Sequence, residues 1–393
     1  MKKYISILGS TGSIGLSSLK IINKKKSHFI INVLAANKNY GLICRQIKEL
    51  KPKVFIVNDY KIFNKIKKEF KKNKVIILNK IDNIKNFKKS DITIAAIPGI
   101  AGLKPTIEFT KQSKKLLIAN KESVICGWNL IRKAASKNKT KLIPIDSEHF
   151  SIMKILENQK KQNIKKVYLT ASGGPFLNFK LSKLKNVKPK EAIKHPKWKM
   201  GKKISIDSAS LMNKMFELIE AHKIFLLDLD KIDIVIHPQS LVHAIIEFKN
   251  GLYNFIYHET TMLIPLANAI FDNDLDISNF IKPILNNKKN IFLKNFNFQK
   301  VDSIRFPIIK LKSRMNEYHS TPIIINAINE ILVDQYLQKK IPFNSFYRYI
   351  ISVLNDRNYK KYAIKEPKNI NQIFLIDKWS RNTMYEKLQK KYV

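Results

Sequence analysis

Residues 4–15 read Tyr4-Ile5-Ser6-Ile7-Leu8-Gly9-Ser10-Thr11-Gly12-Ser13-Ile14-Gly15, an apolar run that ends directly on glycines three residues apart. A helical pattern follows, with Leu16, Leu19 and Ile22 on one face. Glycines here permit a tight turn and a close approach of backbone to a pyrophosphate, and the helix amino terminus supplies N–H donors and positive dipole. The spacing G-x-x-G-x-x-G departs from G-x-G-x-x-G, yet the strand before it and the helix after it favour a phosphate cradle over an ordinary turn. Outward from this turn, short β-branched runs recur at 29–36, 53–57, 74–78, 91–97, 115–119 and 141–145. Lysine-studded segments with helical spacing lie between several of them, for example Ile62, Ile66 and Phe70. Such alternation predicts a doubly wound, mostly parallel, Rossmann-like sheet over 1–146.

The end of the second run selects the dinucleotide. An NAD site wants an acid there to accept from the ribose hydroxyls, whereas this chain has Ala35-Ala36-Asn37-Lys38-Asn39. A cation flanked by amides suits a 2′-phosphate, so NADPH is expected over NADH.

Composition excludes more than it assigns. The 393 residues carry 73 Lys plus Arg against 30 Asp plus Glu, a formal net charge of +43 that invites a nucleic-acid or membrane-surface reading. Only seven of the 73 are arginine, which leaves 66 lysines, and they are scattered through a chain rich in Ile, Asn, Phe and Tyr. Arginine is the usual residue for bidentate reading of bases and phosphates. A/T-rich codons account for the skew more simply, so neither nucleic acid nor membrane is expected as a partner. Cys44 and Cys126 form neither a disulfide framework nor a metal spacing. No apolar run reaches the ~18–20 residues of a span, and the Gly/Ser turn interrupts what would be a signal peptide. A cytoplasmic protein is expected.

The chemistry lies in the middle. Asp146-Ser147-Glu148-His149 closes the last run; if extended, residues two apart face the same way and both carboxylates converge on the crevice where open α/β sheets bind ligands. A hard divalent cation would relieve their repulsion, Mg²⁺ or Mn²⁺ by donor type. The same tetrapeptide also reads as a helix N-cap ahead of Phe150, Ile152, Met153 and Ile155. Ser172-Gly173-Gly174 forms a turn suited to an anion. His195-Pro196-Lys197-Trp198-Lys199-Met200-Gly201 reads as a closing lid. The segment 207–217 reads as one capped helix start, with Asn213 and Glu217, and Ser210 and Lys214, each four apart on a common face.

These strings, with Ala119-Asn120-Lys121-Glu122-Ser123 and His237-Pro238-Gln239-Ser240-Leu241-Val242-His243, fall in an order and spacing that resembles the 1-deoxy-D-xylulose 5-phosphate reductoisomerase family. The resemblance implies an NADPH-dependent enzyme that rearranges a sugar phosphate, 1-deoxy-D-xylulose 5-phosphate. It then reduces the product to 2-C-methyl-D-erythritol 4-phosphate for isoprenoid precursors, using Mg²⁺ or Mn²⁺, with Co²⁺ also accommodated. It implies Asp146, Glu148 and Glu217 as metal ligands and Lys121, Glu148 and His195 as catalytic groups. Lys121, Ser147, Glu148, Ser172, His195, Trp198, Met200, Ser208, Asn213, Lys214 and Glu217 would hold substrate. Thr11, Gly12, Ser13, Ile14, Asn37, Lys38, Asn39, Asn120, Glu122 and Gly201 would hold NADPH. His149 and His243 match family histidines that line the site.

Departures from the family pattern are local: Asn37 and Met215 stand where glycine is usual, and His258-Glu259-Thr260-Thr261-Met262-Leu263 replaces a stretch usually read Pro-Asp-Met. The implied layout is a cofactor domain over 1–146, an α+β catalytic domain over 147–273, a linker over 274–303 containing Pro283, and a helical bundle over 304–393. Thr321-Pro322 opens a helical segment, Ile323–Gln338, whose Ile328, Ile331 and Leu332 form a core stripe. A homodimer through the middle domain is implied as well. Two other readings compete: a related NADP enzyme such as a homoserine or aspartate-semialdehyde dehydrogenase, and a basic binder without activity. The aldehyde-oxidising version wants a nucleophilic cysteine, for which Cys126 is poorly set.

Overall fold

The computed structural model describes residues 2–81, 87–198, 200–280 and 295–390. Two compact units divide the chain, one of 1–123, 129–150 and 261–294, the other of 124–128, 151–260 and 295–393.

In the first unit, strands and helices alternate as β1 (Lys3–Leu8), α1 (Ser13–Lys24), β2 (Phe29–Ala36), α2 (Tyr40–Leu50), β3 (Val54–Val57), α3 (Tyr60–Glu69), β4 (Ile76–Leu78), β5 (Ser90–Ala95), α4 (Leu103–Lys111), β6 (Ser113–Ile118), α5 (Lys121–Asn138) and β7 (Lys141–Pro144). All seven apolar runs become strands. They form one parallel sheet in the order β4-β3-β2-β1-β5-β6-β7. Ile5, Ile7, Leu8, Phe55, Ile94 and Leu117 are wholly buried, as expected of strands covered on both faces. The order reverses between β1 and β5, so the ligand crevice of such a sheet opens beyond the carboxyl ends of these two strands.

The second unit holds the sheet β11-β10-β8-β9-β12, built from β8 (Ile164–Ala171), β9 (Ile232–Ile236), β10 (Val242–Phe248), β11 (Tyr253–Tyr257) and β12 (Gln299–Lys300). Only β8 and β9 run parallel, and the crossover between them carries the helices Lys202–Ser210 and Met212–Phe225. The helices Thr321–Leu337, Phe346–Leu354 and Ile370–Gln389 form the carboxy-terminal bundle. Its Ile328, Ile331, Leu332, Ile350 and Met384 are buried, so the stripe read from 323–338 is core.

Three expectations change here. The segment 207–217 is not one helix start: Leu211 adopts φ 66° and separates the two helices, leaving Ser210 on the first and Lys214 on the second. Residues 146–149 are not extended, because Ser147 opens the helix Ser147–Leu156 and the Asp146 carbonyl accepts its first bond from Phe150 N at 2.8 Å. The N-cap reading of the tetrapeptide is the one realised. Within the expected linker, Gln299 and Lys300 pair with β9 as an edge strand, while Pro283 and the rest of 281–294 lie outside the described residues. Lys199 of the expected lid also lies outside them.

Candidate active site

The glycine turn of the first unit is held by backbone. Gly9, at φ 85°, and Ser10 both donate to the Ala35 carbonyl at 2.9 Å, and Gly12 N donates to Gly9 O at 3.0 Å. Gln46 locks the turn from outside, accepting from Ser10 Oγ at 2.7 Å and donating to Ser10 O at 2.9 Å. Gly12 caps α1 with no side-chain hydrogen bond, which leaves the first-turn N–H groups beside Ser13 and Ile14 for an anion. A Cβ on Gly15 would lie 2.3 Å from Gly9 O and 2.7 Å from Ser10 Cα. Backbone cannot yield to that contact, so Gly15→Ala is expected to cost about 1–3 kcal/mol and to raise the KM for NADPH. Urea unfolding and a cofactor titration check this, and a variant with unchanged stability would refute the packing argument.

At the end of β2, Asn37, Lys38 and Asn39 are exposed, and the Asn39 side chain caps α2 by accepting from Leu42 N at 3.2 Å. Asn120 is anchored within the protein: it accepts from Ser123 N at 2.6 Å and donates to Ile97 O, Gly99 O and the Glu122 carboxylate. It thereby pins the loop after β5 to the start of α5.

Lys121, the first residue of α5, is buried with its Nζ 3.5 Å from Asp146 Oδ2. Burial pushes the Asp146 carboxyl up. The Lys121 ammonium, with contributions from His149 and Glu148, outweighs it and holds the group well below the usual carboxylate range. Asp146 Oδ1 is buried and has no hydrogen-bond partner among the described residues, a state that normally demands an explanation. His149 Nδ1 stands 3.6 Å from it, and Ser147 Oγ donates to Glu148 Oε2 at 2.6 Å.

In the second unit the Ser172-Gly173-Gly174 turn uses two left-handed glycines, at φ 80° and 65°. A Cβ on Gly174 would meet Ala209 Cα at 2.9 Å and Ser208 O at 3.0 Å, so only glycine lets this turn lie against Ser208. Hydrogen bonds assign the protons here. His195 Nδ1 accepts from Lys197 N at 3.1 Å and Trp198 N at 2.9 Å, so the neutral ring carries its proton on Nε2. Nε2 then donates to Ser172 Oγ at 2.9 Å, which also accepts from Gly174 N at 3.0 Å. With two bonds accepted, the Ser172 hydroxyl proton is free to point at an anion. Burial, reinforced by the Lys214 charge, pushes the His195 pKa down to about 4, so the neutral ring persists at physiological pH.

Glu217, 1% exposed, accepts from Lys214 Nζ at 2.7 Å and from the Asn213 amide. Met215 is fully buried, so the side chain added where the family has glycine points into core. Trp198 meets the His243 ring edge-on at 6.1 Å between centroids. Gly201 caps the helix Lys202–Ser210 with its backbone alone and is exposed, and Met200 just before it is half-buried. Sequence reading missed three supporting residues. Gln46 lies 36 positions from the serine it holds, and Asn329 donates to the buried Asp207 at 2.7 Å across 122 positions, so neither leaves a local signal. His258 is the third: it stacks on His243 at 3.9 Å, and the departure of the whole 258–263 stretch from the family pattern was the available clue.

A doubly wound sheet with an open helix terminus at its glycine turn, in a chain that also bears clustered carboxylates, lysines and hydroxyls, defines a Rossmann-type, dinucleotide-dependent oxidoreductase. Family models narrow the class: "1-deoxy-D-xylulose 5-phosphate reductoisomerase" matches residues 5–127, and its carboxy-terminal domain models match 142–225 and 259–383. The chain belongs to the 1-deoxy-D-xylulose 5-phosphate reductoisomerase family. A Pelagibacter ubique member is 46% identical over 380 residues, covering 94% of this chain and 96% of its own length. A reductoisomerase crystal structure in complex with NADPH, fosmidomycin and magnesium superposes with TM-score 0.89 at 30% identity, over 98% of each chain. The Zymomonas mobilis enzyme in complex with NADPH gives 0.86 at 29%, over the whole of both chains. The Rossmann-like fold class and the family reading hold, and the competing dehydrogenase and basic-binder readings are set aside.

Proposed function

We propose that this chain catalyses the reaction of its family, the rearrangement of 1-deoxy-D-xylulose 5-phosphate and its NADPH-dependent reduction to 2-C-methyl-D-erythritol 4-phosphate with a divalent metal. The observation that carries the metal is Asp146 Oδ1, a buried anionic oxygen without a hydrogen-bond partner among the described residues. All-carboxylate donors suit Mg²⁺ or Mn²⁺, and Asp146, Glu148 and Glu217 are the ligands proposed. The α1 terminus at Thr11–Ile14 suits the pyrophosphate. Exposed Lys38 and its flanking amides suit the 2′-phosphate, with Asn120, Glu122 and Gly201 completing the cofactor set.

When bound, the two groups supply hydride and Lewis acidity at the substrate oxygens. The chain's residues do the rest. Lys121 Nζ donates to a substrate oxygen, and Ser147 keeps the Glu148 carboxylate oriented as an acceptor. Ser172, Ser208, Asn213 and Lys214 grip the phosphate, a handle outside the chemistry whose binding energy drives closure. His195 stays neutral and ties that grip to the backbone of the Trp198 loop. Trp198 and Met200 cover the sugar and exclude water. The surplus of lysine draws both anionic ligands inward.

The partner is proposed to be a second copy of this chain, docked on β11. That strand lies at a sheet edge and, with the residue before it, exposes Leu252, Tyr253 and Phe255 to 60%, 57% and 47%. No helix among the described residues is long and apolar enough to cross a membrane. Two buried free thiols suit a cytoplasmic setting. The division of function follows 1–146 for cofactor, 147–273 for catalysis, 274–303 as connection and 304–393 as helical support.

NADPH oxidation with 1-deoxy-D-xylulose 5-phosphate tests the reading. Turnover is expected to require substrate and Mg²⁺ together and to fall when NADH replaces NADPH. A folded sample without metal-dependent oxidation defeats it.

A further inference from the structure

His258 follows β11, its N–H donating to Leu241 O at 2.9 Å. Its partner His243 sits where the β10–β11 register slips between Val242 and Ala244, so His243 is the extra residue of a β-bulge. Bulges re-aim side chains, and this one turns His243 onto the His258 ring: the centroids are 3.9 Å apart and the planes within 20°. Both rings are buried, at 2% and 9% exposure.

Backbone carbonyls orient the pair. His243 Nε2 lies 3.1 Å from His258 O and must donate, and His258 Nδ1 donates to Glu259 O at 2.7 Å. His258 Nε2 is buried without a hydrogen-bond partner among the described residues, and the face of the ring lies against His243. Burial, with the neighbouring His243, pushes its pKa down to about 3. His243 also meets the Trp198 ring in an edge-type contact, the centroids 6.1 Å apart. His243 thus touches both other rings, the buried His258 and the half-buried loop tryptophan.

We propose that His258 is a positioning residue: its ring backs His243 and so sets the surface on which Trp198 docks when the loop closes over substrate. This rests on the reading that Trp198 covers the bound sugar. Removing the ring leaves the face of His243 without its backing, although its bond to the backbone carbonyl of residue 258 remains, and weakens docking, which penalises substrate capture more than the chemical step.

Steady-state kinetics of His258→Ala and His258→Phe beside the wild type test it. His258→Ala is expected to raise the KM for 1-deoxy-D-xylulose 5-phosphate roughly tenfold, the factor that follows from about 1.4 kcal/mol of lost docking, with kcat within about twofold. His258→Phe, which keeps a flat ring but no titratable group, is expected to return KM to within about twofold of wild type. An unchanged KM in the alanine variant overturns the proposal, as does equal damage in both variants or a loss confined to kcat. If the alanine variant does not fold, His258→Leu, which fills the space without a flat face, takes its place under the same outcomes. A wild type without turnover would instead sink the functional reading itself, so the two failures are distinguishable.

Discussion

Glu217→Gln is expected to lose metal-dependent turnover by a factor on the order of 10³, the scale on which enzymes lose rate when a preorganised charge at the reacting centre is removed. The substitution keeps shape and hydrogen-bonding length while deleting the anion. Glu217 is 1% exposed and already bonded by Lys214 and Asn213, so its orientation is set before any ligand arrives. NADPH affinity should change little, because the residues proposed to hold the pyrophosphate and the 2′-phosphate, at the start of α1 and the end of β2, are built by local contacts of the first unit. Fluorescence titration with NADPH and a Mg²⁺ series in the turnover assay separate the two effects. A Gln variant with wild-type metal dependence would remove Glu217 from the ligand set.

Lys214→Met should be damaging in two separable ways. Lys214 and Glu217 form an ion pair in which both side chains are at most 9% exposed. Removing one partner leaves the other charge buried and uncompensated, which typically costs about 3–5 kcal/mol. Denaturant unfolding should show that loss without any ligand. The second effect is kinetic. A charge-assisted hydrogen bond to the substrate phosphate contributes about 1.5–3 kcal/mol, so kcat/KM should fall by roughly ten- to a hundredfold at 1.4 kcal/mol per decade. With 1-deoxy-D-xylulose, which lacks the phosphate, the folded variant and the wild type should be equally slow. A variant that loses the same factor on both substrates would show that Lys214 does not act through the phosphate.

The legible parts of this chain were those coded by neighbours in sequence. Seven apolar runs bounded by turns became seven strands, because a parallel strand covered on both faces must be apolar throughout. The glycine turn was legible because only glycine tolerates φ 85° at residue 9 and the contact at residue 15. Illegible parts depended on partners far along the chain. Residues 146–149 looked extended by continuity with β7, yet the Asp146 carbonyl is taken by Phe150 and a helix begins. Residues 207–217 looked like one helix, yet Leu211 enters the left-handed region and splits it. Leu211 is itself 1% exposed, and Ala209 just before the break lies against the Gly174 backbone; no local pattern announces such contacts.

By itself the sequence determined the parallel α/β class, the glycine turn between β1 and α1, and the identity of the carboxylates and lysines. Periodicity, glycine placement and side-chain chemistry are local properties, and they survive without coordinates. Only the tertiary structure decided where His195, His243 and His258 carry their protons, which oxygen of Asp146 lacks a hydrogen-bond partner among the described residues, and that His258 backs His243. Those outcomes depend on where a sheet edge, a bulge and a turn place carbonyls and N–H groups relative to a ring. That placement is set by pairings between β10 and β11 and between Gly174 and Ser208, groups that meet only once the chain has folded.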